Sequence, residues 1–160
     1  RGEEHVGLWS HLGMERPPAL DRLVYERDDL YADAIPCLEA LRAMGLLVGL
    51  AGNQNAALEE WTRAEALPAD LVLSSASLGV RKPDPAFFGR LVEASGAADP
   101  AQVAYVGDRV DNDVRPAAAA GLVAVHVRRG PWGRLQQPAP EAAVAIDDLS
   151  SLPQALASLA

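Results

Sequence analysis

From Asp33 onward, short runs of consecutive apolar residues alternate with stretches whose apolar positions recur at helical spacing. The runs predict five buried strands: Leu46 to Ala51, Asp70 to Leu73, Val103 to Val106, Leu122 to Val127 and Ala142 to Ile146. Between them the pattern predicts helices. The first is capped by Asp33, carries Pro36 in its first turn and stops at Gly45. Others are expected from Asn53 to about Glu65, from Pro85 to Ser95, from Asp113 to Ala120, and from Leu152 to Leu159. Gly130 to Pro140, rich in Gly, Pro and Gln, is expected to be a surface loop.

Strands apolar on both faces and separated by helices indicate an α/β fold, with a doubly wound parallel sheet covered on both sides. Ligands of such sheets sit at the carboxyl ends of the strands. The polar residues directly after the strands are therefore the candidates: Asn53, Ser74-Ser75, Gly107-Asp108 and Arg128-Arg129. Residues 1–32 break the alternation. Leu8, Trp9, Leu12, Leu20, Leu23, Val24 and Tyr25 suggest two short helices around Pro17-Pro18 and no strand.

Composition narrows the function. With 49% hydrophobic and 22% charged residues, the 160-residue chain fits a globular domain. Its formal charge of −8 argues against nonspecific binding to nucleic acid or to an anionic membrane. It leaves room for a divalent cation or a small phosphate ester, each read by a local site. No apolar run approaches the roughly 20 residues needed to cross a bilayer. Cys37 is the single cysteine, which excludes an intrachain disulfide, and it falls at a helix core position.

The densest acidic cluster is Gly107-Asp108-Arg109-Val110-Asp111-Asn112-Asp113, directly after a predicted strand. Gly107 lets the chain turn and leaves Asp108 at the strand tip. Mg²⁺ favours carboxylate oxygens, usually one or two from protein together with substrate phosphate. Asp108 and Asp113 are the candidate metal-binding carboxylates; Asp111 and Asn112 read as capping or solvated positions. Lys82, in Arg81-Lys82-Pro83-Asp84-Pro85, stands just before a helix, where two prolines stiffen the turn. It is expected to reach the strand tips as a partly solvated ammonium. Asn53 is suited both to bonding a phosphate and to capping the next helix. Arg128-Arg129-Gly130 reads as a solvated loop, and His126 as a packed residue. Trp9, His11 and Arg16 are possible contacts to a ligand, with packing or solvent the commoner reason for each.

In their order, these pieces resemble the haloacid dehalogenase superfamily from about Tyr31 to the end of the chain. The strand ending at Asn53 resembles the family's second motif. Gly79-Val80-Arg81-Lys82-Pro83-Asp84-Pro85 resembles the third. Val103 to Asp108, continuing through Asp113 to Ala120-Gly121, resembles the fourth. Val127-Arg128-Arg129-Gly130-Pro131-Trp132-Gly133 is similar to its phosphatase-like members. The resemblance implies a Rossmann-like core over residues 31–160 and a partial helical cap over residues 1–30. It implies a Mg²⁺-dependent, cytoplasmic phosphatase that acts on a small phosphorylated substrate through an aspartyl-phosphate intermediate. Lys82 and Asn53 would be catalytic. Gly52, Asn53 and Lys82 would bind substrate, and Asp108 and Asp113 the metal.

Two departures stand out. The chain has no apolar strand followed by Asp-x-Asp-x-Thr/Val, the family's nucleophile motif. Asp147-Asp148 fits the last strand instead. Gly52 occupies the position where the family carries Ser or Thr. The chain also starts at Arg1 without an initiator Met. The expectation is a central strand, supplied from upstream or by another chain, between the strands ending at Asn53 and Asp108. The competing reading is a degenerate, noncatalytic domain that binds a phosphorylated ligand or a protein partner.

Overall fold

The computed structural model describes Gly13, Glu15, residues 25–136 and residues 138–159. The two N-terminal helices expected around Pro17-Pro18, with Trp9, His11 and Arg16, lie outside the described residues. Among the described residues five strands form: β1 Gly49–Gly52, β2 Leu71–Ser74, β3 Ala104–Gly107, β4 Val123–Val127 and β5 Val144–Ile146. The helices are α1 Ala34–Ala43, α2 Ala57–Ala64, α3 Ser75–Leu78, α4 Pro85–Ser95, α5 Arg115–Ala119, α6 Gly130–Leu135 and α7 Leu152–Ala157.

All strand pairs are parallel: β1 with β2, β3 with β4, and β4 with β5. Apolar side chains cover both faces, as the continuous strand runs require. On one face Phe87, Phe88 and Leu91 of α4 pack with Tyr105, Val114, Ala117 and Ala124. On the other, Cys37 and Leu41 of α1 and Leu152 of α7 pack with Val125, Val127 and Ile146. This is the doubly wound α/β architecture.

α4 begins where the sequence says, because Asp84 accepts the Ala86 N–H and Pro85 opens the first turn. α6 contradicts the expected loop. Pro131 occupies its first turn, and Gly133 lets it press against the end of β4. A β-carbon on Gly133 would sit 2.5 Å from the Val127 carbonyl oxygen. α2 starts at Ala57 rather than at Asn53, whose side chain is engaged elsewhere. Asp33 does not cap α1 with its side chain; the carboxylate is held by Arg129 instead.

Among the described residues the strands form two sheets, β1-β2 and β3-β4-β5, and β1 does not pair with β3. Between them runs an apolar cleft of about 890 Å³, lined by β1, β3, α1 and α7. Met44, Leu46, Leu47 and Leu159 line it and are exposed. Leu46 and Leu47 therefore precede β1 as open cleft wall rather than as buried strand.

Candidate active site

The carboxyl ends of β1 and β3 bring the sequence candidates together. Gly52 and Asn53 end β1, and Gly107 and Asp108 end β3. The Arg81 to Pro85 turn, which contains a cis Lys82–Pro83 peptide, spans the two. The Asn53 side chain fixes that turn: its Nδ2 donates to the Lys82 carbonyl at 3.0 Å, and its Oδ1 accepts the Lys82 N–H at 2.8 Å. Each end of the carboxamide thus spends one hydrogen bond on the turn, which leaves one N–H donor and one lone pair of the side chain for other contacts.

Lys82 is not the partly solvated group expected from sequence. Its side chain is 11% exposed and pairs with Asp113, itself 4% exposed, at 2.5 Å. Burial pulls the Lys82 pKa down, but the charge of the Asp113 carboxylate and its hydrogen bond oppose this, and the pKa is raised above the usual value. Lys82 Nζ lies 5.5 Å from the centre of the Tyr105 ring. Burial, opposed by Lys82, leaves the Tyr105 phenol pushed up to about 12, so it stays protonated. Phe88 meets Tyr105 edge-on at 5.1 Å and closes the apolar side.

Asp113 is reached through a single π turn, Val110–Val114, ahead of α5. π turns of this kind recur at functional sites. Its Oδ2 accepts the Arg109 N–H at 3.0 Å and its Oδ1 takes Lys82. Gly107 is what lets Asp113 come so close. A β-carbon there would overlap the Asp113 Cβ and Cγ and lie 2.7 Å from Oδ2. Asp111 accepts two hydrogen bonds from Arg109, which hold its carboxyl below the usual range.

Asp108 lines the cleft. Burial and the neighbouring Asp113 charge raise its pKa above the ordinary value. Buried His126 places Nε2 3.3 Å from the Asp108 carbonyl oxygen, from the adjacent strand. Of the two expected metal carboxylates, Asp108 borders open space, while both oxygens of Asp113 are occupied by protein. Among the described residues no group of three or more His, Cys, Asp or Glu side chains is placed to hold a metal. The donor set therefore fits a Mg²⁺ ion that takes one carboxylate here and completes its shell from elsewhere.

A raised carboxyl pKa has a definite consequence for stability. The folded protein binds a proton at Asp108 more readily than the unfolded chain does. Stability at this group is thus greatest below the unfolded value of about 3.9 and declines as pH rises through the folded value. Asp108→Asn is expected to raise the metal-free Tm at pH 7, with the gain shrinking as pH falls toward 4. Scanning calorimetry over that range checks it; a lower Tm at pH 7 would mean the carboxylate is held by partners stronger than its repulsion.

Arg128 stays in contact with solvent, paired with Asp147 at 2.8 Å with side chains 37% and 71% exposed, whereas Arg129 is drawn in and meets both Asp33 oxygens at 2.7 Å. Sequence inspection misses this second pair because 96 residues separate its members.

An acid and a buried lysine–carboxylate pair are gathered at the tips of parallel strands in a doubly wound protein, where ligands of such sheets sit. The model of the haloacid dehalogenase-like hydrolases matches residues 10–121, and the chain belongs to that family. The chain is 38% identical over 106 residues to the glyceraldehyde 3-phosphate phosphatase of Methanopyrus kandleri, covering 64% of this chain and 45% of that protein. It is 39% identical over 107 residues to the phosphoserine phosphatase of Thermus thermophilus, covering 65% and 43%. The chain thus spans less than half the length of these curated relatives. Among solved structures, the HAD phosphatase of Thermococcus onnurineus superposes with a TM-score of 0.69 at 27% identity, covering 79% of this chain and 58% of that one. A 2-haloacid dehalogenase from Pseudomonas syringae gives 0.69 at 29%, covering 82% and 54%. No helix among the described residues is long and apolar enough to cross a membrane.

Proposed function

We propose that this chain forms most of the core of a Mg²⁺-dependent phosphatase that acts on a small phosphate ester. The observation that carries this reading is the buried Lys82–Asp113 pair beside Asp108 at the mouth of the cleft. In the reading, a strand enters the cleft between β1 and β3 and carries the nucleophilic aspartate. Its carboxylate oxygen bonds to phosphorus as the ester P–O bond breaks, and the alcohol leaves with a proton from a second aspartate. Water then takes the phosphoryl group, releasing inorganic phosphate and restoring the carboxylate.

Mg²⁺, bound through Asp108, would offset the charge of the phosphoryl oxygens. Lys82 holds a positive charge toward the nucleophile and the phosphoryl group. Asp113 orients Lys82 and supports Asp108 without binding the metal directly. Asn53 fixes the backbone of the Lys82 turn. The backbones of Gly52 and Asn53 face the phosphoryl oxygens. The described residues from Tyr31 onward form the core; the protein is cytoplasmic. The phosphatase names of the curated relatives support this reading over dehalogenation.

A phosphate-release screen of the intact natural protein against small phosphate esters, with and without Mg²⁺, tests it. Release that depends on Mg²⁺ and disappears in Asp108→Asn is expected. Release from no ester would favour a noncatalytic binding domain.

Gly52 offers a gain-of-function test. A β-carbon there meets only Gln54 Cγ, at 3.6 Å, so a serine fits. The added hydroxyl would supply a hydrogen-bond donor of the kind whose loss costs about a hundredfold in other sites. Gly52→Ser is expected to raise kcat by about tenfold or more, given a well-aimed donor. Steady-state kinetics check it; an unchanged kcat would mean that a backbone N–H already fills that role.

A further inference from the structure

Tyr31 is 56% exposed, yet its position is tightly determined. Its carbonyl accepts the Ala34 N–H at 2.9 Å, which fixes the backbone at the entry of α1. The Arg129 guanidinium lies 3.7 Å from the centre of its ring. Arg129 cannot swing away, because both its Asp33 contacts are 2.7 Å long. Asp33 is held in turn by the Leu149 N–H at 2.8 Å. An exposed aromatic ring is thus clamped by an ion pair anchored to two other segments.

The clamp points at the active site. Gly130 has φ +70°, and a β-carbon on it would lie 3.7 Å from Asp108 Oδ2 and 3.8 Å from the Tyr31 hydroxyl. The phenol and the acid therefore flank one bare patch of backbone. Holding a ring in this place costs side-chain freedom that solvent exposure does not return. A rigid aromatic body with a polar tip suits recognition of a ligand that is part apolar and part polar.

We propose that Tyr31 is a specificity-determining residue, which contacts the organic part of the phosphate ester, and that Arg129 and Asp33 are its positioning residues. The inference rests on the phosphatase reading above. The phenol hydroxyl donates to an acceptor on the leaving group, and the ring packs against its carbons. Arg129, neutralised by Asp33, is not itself an anion receptor. The favoured substrates are small phosphate esters with a hydroxyl, carbonyl or carboxylate near the ester bond.

The test uses the intact protein as wild type, Tyr31→Phe, Tyr31→Ala and Arg129→Met. Glycerol phosphate and p-nitrophenyl phosphate serve as substrates, and inorganic phosphate as inhibitor. Tyr31→Ala is expected to raise KM for glycerol phosphate about tenfold, the scale of one lost specificity contact. Its kcat is expected to stay within about threefold, and Ki for inorganic phosphate within about twofold. Tyr31→Phe should leave KM for p-nitrophenyl phosphate within about twofold and raise KM for glycerol phosphate by no more than Tyr31→Ala does. Arg129→Met should follow Tyr31→Ala in direction. Equal shifts in KM and in Ki for phosphate would overturn the proposal, since they indicate general distortion. So would unchanged KM for both esters. If wild type releases no phosphate, the phosphatase reading falls on its own. Calorimetric titration with glycerol phosphate and with inorganic phosphate then decides the role of Tyr31. Loss confined to the ester upholds it; equal loss, no loss, or no binding to wild type overturns it.

Discussion

Lys82→Ala is expected to lower turnover of the intact protein by about a hundredfold or more, the scale of one lost electrostatic donor in a preorganised site. The ammonium is the charge paired with Asp113 and aimed at the strand tips. Removing it leaves a carboxylate that is only 4% exposed and held by a single backbone N–H from Arg109. Breaking a buried pair by deleting one member typically costs about 3–5 kcal/mol. The variant should therefore lose stability as well as activity, contrary to what a partly solvated lysine would give. Lys82→Arg should also fail, because a larger planar fork does not replace a compact ammonium in a pair whose members are 11% and 4% exposed. Kinetics well below the Tm of the variant separate the two effects. Near-normal turnover there would assign Lys82 a purely structural role.

Gly107→Ala carries the second large expected effect. The new methyl group would overlap the Asp113 side chain at its root, not at a flexible end. Asp113 cannot yield, since its two oxygens are bound to Lys82 and to the Arg109 N–H. Overpacking of this kind costs about 1–3 kcal/mol in cores. Here the relief route is displacement of the Lys82–Asp113 pair, so activity should fall by about tenfold or more, as for a misplaced catalytic group. Gly89→Ala is the matched control. Gly89 lies exposed in α4 with nothing within 4 Å of an added β-carbon. Alanine there should be neutral or stabilise the helix by about 0.5–1 kcal/mol. Paired melting curves and kcat values check both. Equal behaviour of the two variants would show that the β3 tip is more plastic than its geometry implies.

Much of this arrangement is legible in the sequence, and the illegible part has common causes. Strand positions and the start of α4 follow from local signals: consecutive apolar residues, and Asp84 with Pro85. Asp108 and Lys82 are legible because each stands beside a residue that shapes the turn, Gly107 or Pro83. What local signals miss is how distant segments use polar side chains. Asp33 and Asn53 both look like helix caps, yet each is held by a segment far along the chain: Arg129 for Asp33, and the Lys82 backbone for Asn53. The Gly130 to Leu135 helix reads as a loop because its glycines and proline are loop formers in isolation. Contact with the end of β4 and the 4.7 Å approach of the Arg109 guanidinium to the Trp132 ring reverse that. Burial of Lys82 also depends on tertiary context: Tyr105 and Asp113, from other elements, meet it, and Phe88 backs the Tyr105 ring.

The central claim is that Asp108, Lys82 and Asp113 serve a nucleophilic aspartate on a strand lying between β1 and β3. Trapping the phosphoenzyme tests it most directly. The intact protein is mixed with a phosphate ester it hydrolyses and Mg²⁺, quenched in acid within a turnover, and mapped by peptide mass spectrometry. The account predicts one phosphoryl group, on an aspartate of a segment that occupies the cleft beside Gly49–Gly52 and Ala104–Gly107, and none in Lys82→Ala. A phosphoryl group on Asp108 or Asp113, or steady hydrolysis with no phosphoenzyme at any quench time, would contradict it.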